Sequence, residues 1–238
     1  METKAKYKKY YQKKGQHRND ILKDRGVLFQ QLALEACLVN ALRYIGFESD
    51  KIKLLDVGCG EGASLAPFLI YGFNSDLMFG IDILDERIEE ARRRFPAINW
   101  ICGDAAHMGF PDEEFDVVLE STMFYAISDQ SLASLIASEM VRVTKPSGFI
   151  LLVDWRYGVP WEKEFRAVTK RRIKRLFNVG DETLIEKTFN GALVPPIGRF
   201  LSKHLPATYF LIQKVMPILV GMKLVILRKS GDNKDASF

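Results

Sequence analysis

The carboxylates Asp56, Asp82, Asp104, Glu120 and Asp154 each fall at or just beyond the end of an apolar run. The first of them opens a glycine-rich stretch, Asp56-Val57-Gly58-Cys59-Gly60-Glu61-Gly62, which follows Ile52-Lys53-Leu54-Leu55 and precedes a helical pattern from near Ala63. Strand, glycine turn, then helix brings bare backbone against a bound cofactor, because glycine accepts positive φ and carries no side chain to block approach. Gly58-x-Gly60-x-x-Ala63 also satisfies a dinucleotide fingerprint, with Asp82 at a workable distance for a ribose.

Three features bear on which cofactor the turn serves. Asp56 would repel a pyrophosphate but suits a sulfonium or ammonium group, or holds the turn by accepting backbone N–H bonds. Gly103-Asp104-Ala105 puts an acid where an adenine amino group could donate to it. Val141-Arg142-Val143-Thr144-Lys145-Pro146-Ser147-Gly148 reads as a helix stop and a turn back into a sheet.

The elements that must position these groups alternate. Strands are predicted over 52–57, 77–82, 98–102, 115–120 and 148–154, with helices over 62–71, 85–94 and 130–143 and a short piece after Asp104. Apolar runs such as Asp116-Val117-Val118-Leu119 and Phe149-Ile150-Leu151-Leu152-Val153 suit a parallel sheet covered on both faces. The fold class expected is therefore α/β, a doubly wound and mostly parallel sheet whose ligand lies beyond the strands' carboxyl ends. Before the sheet, Leu28, Leu32, Val39, Leu42 and Ile45 mark one face of a helix over 28–45, which Gly46 closes. After it come helical pieces over 156–206 with a Pro195-Pro196 break, a helix near 207–219 and a last strand, 222–228. This divides the chain into a basic tail and helical extension (1–50), a cofactor-binding core (51–155) and an acceptor-side segment with a closing strand (156–238), one domain overall.

Composition narrows the class further. The 238 residues are 47% hydrophobic and 27% charged, with net charge +4, which is ordinary for a soluble globular chain. Cys37, Cys59 and Cys102 are scattered and odd in number, which argues against a disulfide framework and fits a reducing, cytoplasmic setting. Cys59 reads as a small filler of the loop. His17, His107 and His204 are isolated, so no metal site is expected. The apolar stretch Ala207–Leu227 is interrupted by Gln213, Lys214, Pro217, Gly221 and Lys223, so it is predicted to be a buried helix and a strand, not a membrane span. Two basic clusters stand out: residues 1–18, with seven Lys/Arg against one acid, and Lys170-Arg171-Arg172-Ile173-Lys174-Arg175. Such runs are ordinarily solvated faces; attraction to an anionic substrate, a membrane surface or nucleic acid is the sharper reading.

Taken together, these motifs resemble the class I S-adenosylmethionine-dependent methyltransferases of the type 11-like group. Leu54–Gly62 resembles their first motif, Gly80-Ile81-Asp82-Ile83 the second, and Gly103-Asp104-Ala105 with Phe110–Asp116 the third and fourth. Lys145-Pro146-Ser147-Gly148-Phe149 resembles the lead into the fifth strand, with Ser147 where glycine is commoner. The resemblance covers about residues 28–155 and the last strand, and implies a Rossmann-like sheet with an antiparallel strand beside the fifth. It implies S-adenosylmethionine as cofactor, S-adenosylhomocysteine as product and an enzyme of the EC 2.1.1 class. Gly58, Cys59 and Gly60 would then touch the methionine part through backbone, with Asp56 beside it. Asp82 would take the ribose hydroxyls, and Ile83 would pack on adenine. Asp104 would bind the adenine amino group, Ala105 would offer a backbone N–H, and Glu120 would lie near the methionine moiety.

Methyl transfer is an in-line displacement that gains chiefly from orientation, worth up to about 7–11 kcal/mol, and a hydroxyl acceptor also needs a base. Asp154 and Tyr125 are the catalytic candidates, with Arg156 and Tyr157 also at the site mouth. The sequence from Asp154 through the basic cluster to Pro195-Pro196 loosely resembles methyltransferases of bacterial polysaccharide synthesis. That resemblance implies a small-molecule or glycan acceptor, with peripheral membrane contact as a further expectation. The alternatives are an RNA or protein methyltransferase using the basic tail, or a non-catalytic S-adenosylmethionine-binding protein.

Overall fold

A computed structural model describes residues 20–158 and 165–231, together with Lys8. The basic tail, residues 1–18, lies outside the described residues apart from Lys8. Contacts divide the chain into two units. One holds the chain up to Gly46 with Phe189–Leu224; the other holds Phe47–Thr188 and the chain from Val225.

The second unit carries the sheet that frames the carboxylates. Strand β1 (Leu54–Val57) is buried throughout, as a central strand must be, and pairs in parallel with β2 (Met78–Asp82) and β4 (Phe115–Ser121). Beyond β2 lies β3 (Asn99–Cys102), and beyond β4 lies β5 (Thr144–Trp155), both parallel. The full order is β3-β2-β1-β4-β5-β7-β6, with β6 at Thr183–Asn190 and β7 at Met222–Lys229. β7 lies antiparallel beside β5, and the side-chain ammonium of Lys229, the last residue of β7, donates to the carbonyl of Thr144, the first of β5, at 2.8 Å. The expected mostly parallel sheet with an antiparallel strand beside the fifth is present. Strand β6 is an addition, since helical pieces alone were expected there.

Helix α1 (Arg25–Ile45) starts where the Asp24 carboxylate accepts the Gly26 N–H at 2.7 Å and ends at Gly46 with φ +77°. Its buried side is Gly26, Ala33, Cys37, Leu38 and Ala41. The face expected, through Leu28 and Leu32, is rotated away from this, and Leu32 is 42% exposed. At Gly26 a β-carbon would strike Arg199, so glycine is what permits the close approach there.

Helices α3 (Asp85–Arg94) and α5 (Gln130–Val143) match the predicted spans, while α2 (Ala66–Ile70) is shorter than expected. In α3, Asp85 and Glu86 open the helix and Arg92, Arg93 and Arg94 close it, matching its dipole at both ends. The piece after Asp104 is one turn instead of a helix. Its residues are drawn off at Met108, whose N–H donates to Glu139 at 2.8 Å, while Arg142 donates to the carbonyls of Met108 and Phe110. Arg142 holds Glu139 below its usual carboxylate range.

A four-residue helix, α4 (Met123–Ala126), follows β4, and α6 (Lys170–Leu176) follows β5. Pro195-Pro196 begins α7 (Pro195–His204) instead of breaking one, since proline is tolerated in a helix's first turn. The expected buried helix near 207–219 is α8 (Tyr209–Val215), of which only Tyr209 is buried. Pro217 limits it to two turns, too few to hide apolar residues on every side.

Ser147 has φ +59°, the left-handed region that glycine enters without penalty. This is the physical reason glycine suits that position. A Ser147→Gly variant is expected to be more stable by about 1 kcal/mol, read as a rise in the denaturant midpoint at unchanged slope.

Candidate active site

The parallel register brings the ends of five strands to one edge. Val57 pairs with Ile81 and with Glu120, Asp82 with Cys102, and Ser121 with Val153. Asp82, Asp104, Glu120 and Asp154 therefore border the same carboxyl edge as the glycine turn, the position at which open α/β sheets bind ligands.

Within the turn, Gly58, Gly60 and Gly62 have φ of +74°, +54° and +84°. A β-carbon at any of them would be strained, and one at Gly60 would also strike the Arg87 guanidinium. The turn is anchored from β2: Gly58 and Cys59 donate to the Ile81 carbonyl at 2.8 and 3.1 Å. Gly60 donates to Asp82 Oδ2 at 2.9 Å. The other oxygen of Asp82 accepts the Leu84 N–H at 2.9 Å. Asp82 is thus a clamp between β1 and α3, with Arg87 3.9 Å from its Oδ2.

Asp56 is buried beneath the turn and accepts the Ser64 hydroxyl, while its Oδ1 has no hydrogen-bond partner among the described residues. Burial pushes its carboxyl up to about 7; the Ser64 bond lowers it, the charge of Asp82 raises it, and Arg87 lowers it. A buried carboxylate oxygen without a donor fits a cationic ligand, such as the sulfonium and ammonium of S-adenosylmethionine, and the bare turn fits its backbone-held part. Cys59 is buried, and burial drives its thiol up, so it fills space and does not serve as a nucleophile.

Ile83 is half-buried beside Asp82. Asp104 is exposed and closes its own turn, accepting the Ala106 N–H at 2.9 Å, and Ala105 beside it is half-buried. His107, read from sequence as having no local partner, has Nδ1 3.9 Å from Asp104 Oδ2.

The other half of the site lies past β4 and β5. Glu120 is fully buried and accepts the Met123 N–H at 3.1 Å, turning the chain at Thr122, which has φ +61°. The Met123 side chain then covers Gly58. Asp154 accepts N–H bonds from Tyr125 at 2.9 Å and Trp155 at 2.7 Å. Burial pushes Asp154 up to about 7, against those bonds and the charge of Arg172. Glu120 goes well above its usual range, first through burial and then through the charge of Asp154. The Tyr125 ring stacks on Phe165, centroids 4.9 Å apart.

Arg172 completes this half and corrects the reading of its cluster. It is only 6% exposed and donates to the carbonyls of Phe124, Ile127 and Arg166 at 3.0, 2.8 and 2.8 Å. Lys170, Arg171, Lys174 and Arg175 around it are exposed. Ser64, Arg87, Met123, Phe165 and Arg172 were not singled out from sequence. The available signals were helical phase: Ser64 in the first turn after the glycines, and Arg172 beside Ile173 on the apolar side of α6.

Residues 54–148 match the family described as "Methyltransferase domain". A fatty-acid O-methyltransferase of Mycolicibacterium smegmatis is 30% identical over 71% of this chain and 56% of its own length. A phthiotriol/phenolphthiotriol dimycocerosates methyltransferase of Mycobacterium ulcerans is 30% identical over 65% of this chain and 56% of its own. The chain thus spans little more than half the length of these relatives. Among solved structures, the PH0226 protein of Pyrococcus horikoshii OT3 shares the fold with TM-score 0.60 at 17% identity, covering 84% of this chain and 90% of that one. Through residues 54–148, the chain is thus similar in sequence to the methyltransferase domains of known proteins.

Proposed function

We propose that this protein transfers the methyl group of S-adenosylmethionine to an oxygen of a small lipid acceptor. The observation that carries this reading is Asp56, a buried carboxylate with an undonated oxygen directly beneath a glycine turn of bare backbone. The lipid class is supported by the names of the two relatives, which specify a fatty acid and dimycocerosates. Neither name specifies a glycan, RNA or protein acceptor, and the proposal accordingly departs from the glycan expectation.

Bound S-adenosylmethionine supplies a methyl carbon activated by its sulfonium. Asp56 and the Gly58–Gly60 backbone would hold the methionine end with Glu120 nearby, and Asp82, Ile83, Asp104 and Ala105 would hold the nucleoside. Tyr125, stacked on Phe165 and tied to Asp154 through its N–H, orients the acceptor. As the acceptor oxygen bonds to the methyl carbon, the carbon–sulfur bond breaks. With a hydroxyl acceptor the proton passes to Asp154, whose carboxyl near 7 suits that task.

The full chain incubated with S-adenosylmethionine and either a long-chain fatty acid or a long-chain alcohol tests this by mass spectrometry. The expected product is heavier by one methylene and appears with S-adenosylhomocysteine. Asp154→Asn should slow alcohol methylation by about 10²–10⁴-fold and affect the fatty acid far less, because a carboxylate arrives already ionised. Product formed only from RNA would overturn the acceptor class.

Affinity for the cofactor should also follow the Asp56 charge. Its folded carboxyl near 7 is mostly protonated at pH 6 and mostly ionised at pH 8. Calorimetry should therefore show about tenfold tighter binding at the higher pH, a slope that Asp56→Asn removes. The raised value has the opposite effect on the free fold: its stabilisation is complete below the ordinary carboxylate range and is lost as pH rises through 7.

A further inference from the structure

The later helices of the first unit leave several large apolar side chains exposed. Across α7, α8 and the short turns joining them, Phe200, Leu205, Leu211, Val215, Met216 and Ile218 are each between 46% and 69% exposed. Inward, α7 offers Gly198, Leu201 and Ser202, and α8 only Tyr209, whose hydroxyl accepts the Leu193 N–H at 3.3 Å. Consecutive elements here pack on one another, so these side chains belong to one region of surface. Single exposed apolar residues are ordinary; a cluster of this kind marks an interaction surface.

Charge identifies the partner. From Lys187 to Gly231 the sequence contains no Asp or Glu, while Lys203, His204 and Lys214 stand exposed among the apolar residues. The acid nearest these helices, Asp24, is paired with Arg199 at 3.6 Å, and apolar side chains that enter an acyl boundary with lysines at headgroup level form the chemistry of an interfacial helix. The elements are also short, broken at Pro206 and Pro217, so they suit lying in an interface. Among the described residues no helix is long and apolar enough to cross a membrane.

We propose that the Phe200–Ile218 surface docks this protein onto a lipid bilayer carrying anionic headgroups. The docking goes beyond methyl transfer and stands without it, because it needs neither cofactor nor acceptor.

Sedimentation of the full chain with sucrose-loaded vesicles tests it, comparing phosphatidylcholine alone with a phosphatidylcholine–phosphatidylglycerol mixture. The expected result is binding to the mixed vesicles that weakens as salt is added and is weaker on phosphatidylcholine alone. Leu211→Glu with Ile218→Glu should lower it by about tenfold or more, and Lys203→Gln with Lys214→Gln should lower it while flattening the salt dependence. All four side chains are exposed, so thermal unfolding of both variants should match the parent. Parent protein that stays in the supernatant with both vesicle types would overturn the proposal. So would binding unchanged in the Leu211/Ile218 variant, or self-association in light scattering that this variant abolishes without any vesicle binding, which would assign the surface to a second copy of the chain.

Discussion

An Asp82→Ala variant is expected to bind S-adenosylmethionine at least about a hundredfold more weakly than the parent. Two effects combine in that loss. In the free protein the Asp82 carboxylate accepts the Gly60 and Leu84 N–H groups, both at 2.9 Å, from a position only 8% exposed. Hydrogen bonds to a charged group are worth about 1.5–3 kcal/mol each, so the turn loses the restraint that holds Gly60 in its left-handed conformation. The variant also loses the acceptor proposed for the ribose hydroxyls. Arg87, 3.9 Å from Asp82 Oδ2 and packed against Gly60, also loses the carboxylate that offsets its charge beside the glycine turn. Asp82→Asn separates the contributions. It keeps one acceptor oxygen but turns an NH2 toward one of the two donors, and it should fall between parent and Ala, about tenfold down. Calorimetry reads both variants, and affinity within about threefold of the parent for Asp82→Ala would remove Asp82 from the site.

The sheet was legible because central strands buried on both faces must be continuously apolar, as Val117-Val118-Leu119 and Ile150-Leu151-Leu152 are. Their ends located the five carboxylates. Helices α3 and α5 were legible to the residue because charge patterning and a capping aspartate, Asp129, mark their limits. Strand β6 was not legible. It lies at the sheet edge, buries only Thr183 and mixes Glu186 and Lys187 into its run, so its apolar alternation is weak. The true face of α1 was hidden for another reason: hydrophobicity favoured Leu28 and Leu32, whereas the buried side carries the small residues Gly26, Ala33, Cys37 and Ala41 with Leu38. In the site, carboxylates at strand ends declared themselves, but the side chains that reach them from later segments did not. Tyr125 meets Phe165 and Asp154 only after the chain has folded, and no local spacing encodes that.

Arg172→Leu is expected to destabilise the fold by about 3–5 kcal/mol, whereas Arg171→Leu, one residue earlier in the same basic run, should stay within about 0.5 kcal/mol of the parent. The difference comes from what each guanidinium touches. Arg171 is exposed, while Arg172 supplies N–H groups to three carbonyls, those of Phe124 and Ile127 in buried bonds and that of Arg166 in a half-buried one. Its charge also lowers Asp154, so removing it leaves Asp154 and Glu120 buried with less to offset their desolvation. Arg172→Lys should recover only part of the loss, because a single ammonium cannot span carbonyls that a planar fork reaches in several directions. For a chain of this size the Leu variant corresponds to a fall in midpoint of roughly 10 °C. Because the three carbonyls frame α4, the same variant should weaken the Tyr125–Asp154 contact and depress turnover in protein still folded below the transition. Equal midpoints for the Arg171 and Arg172 variants would return the whole cluster to a solvated face.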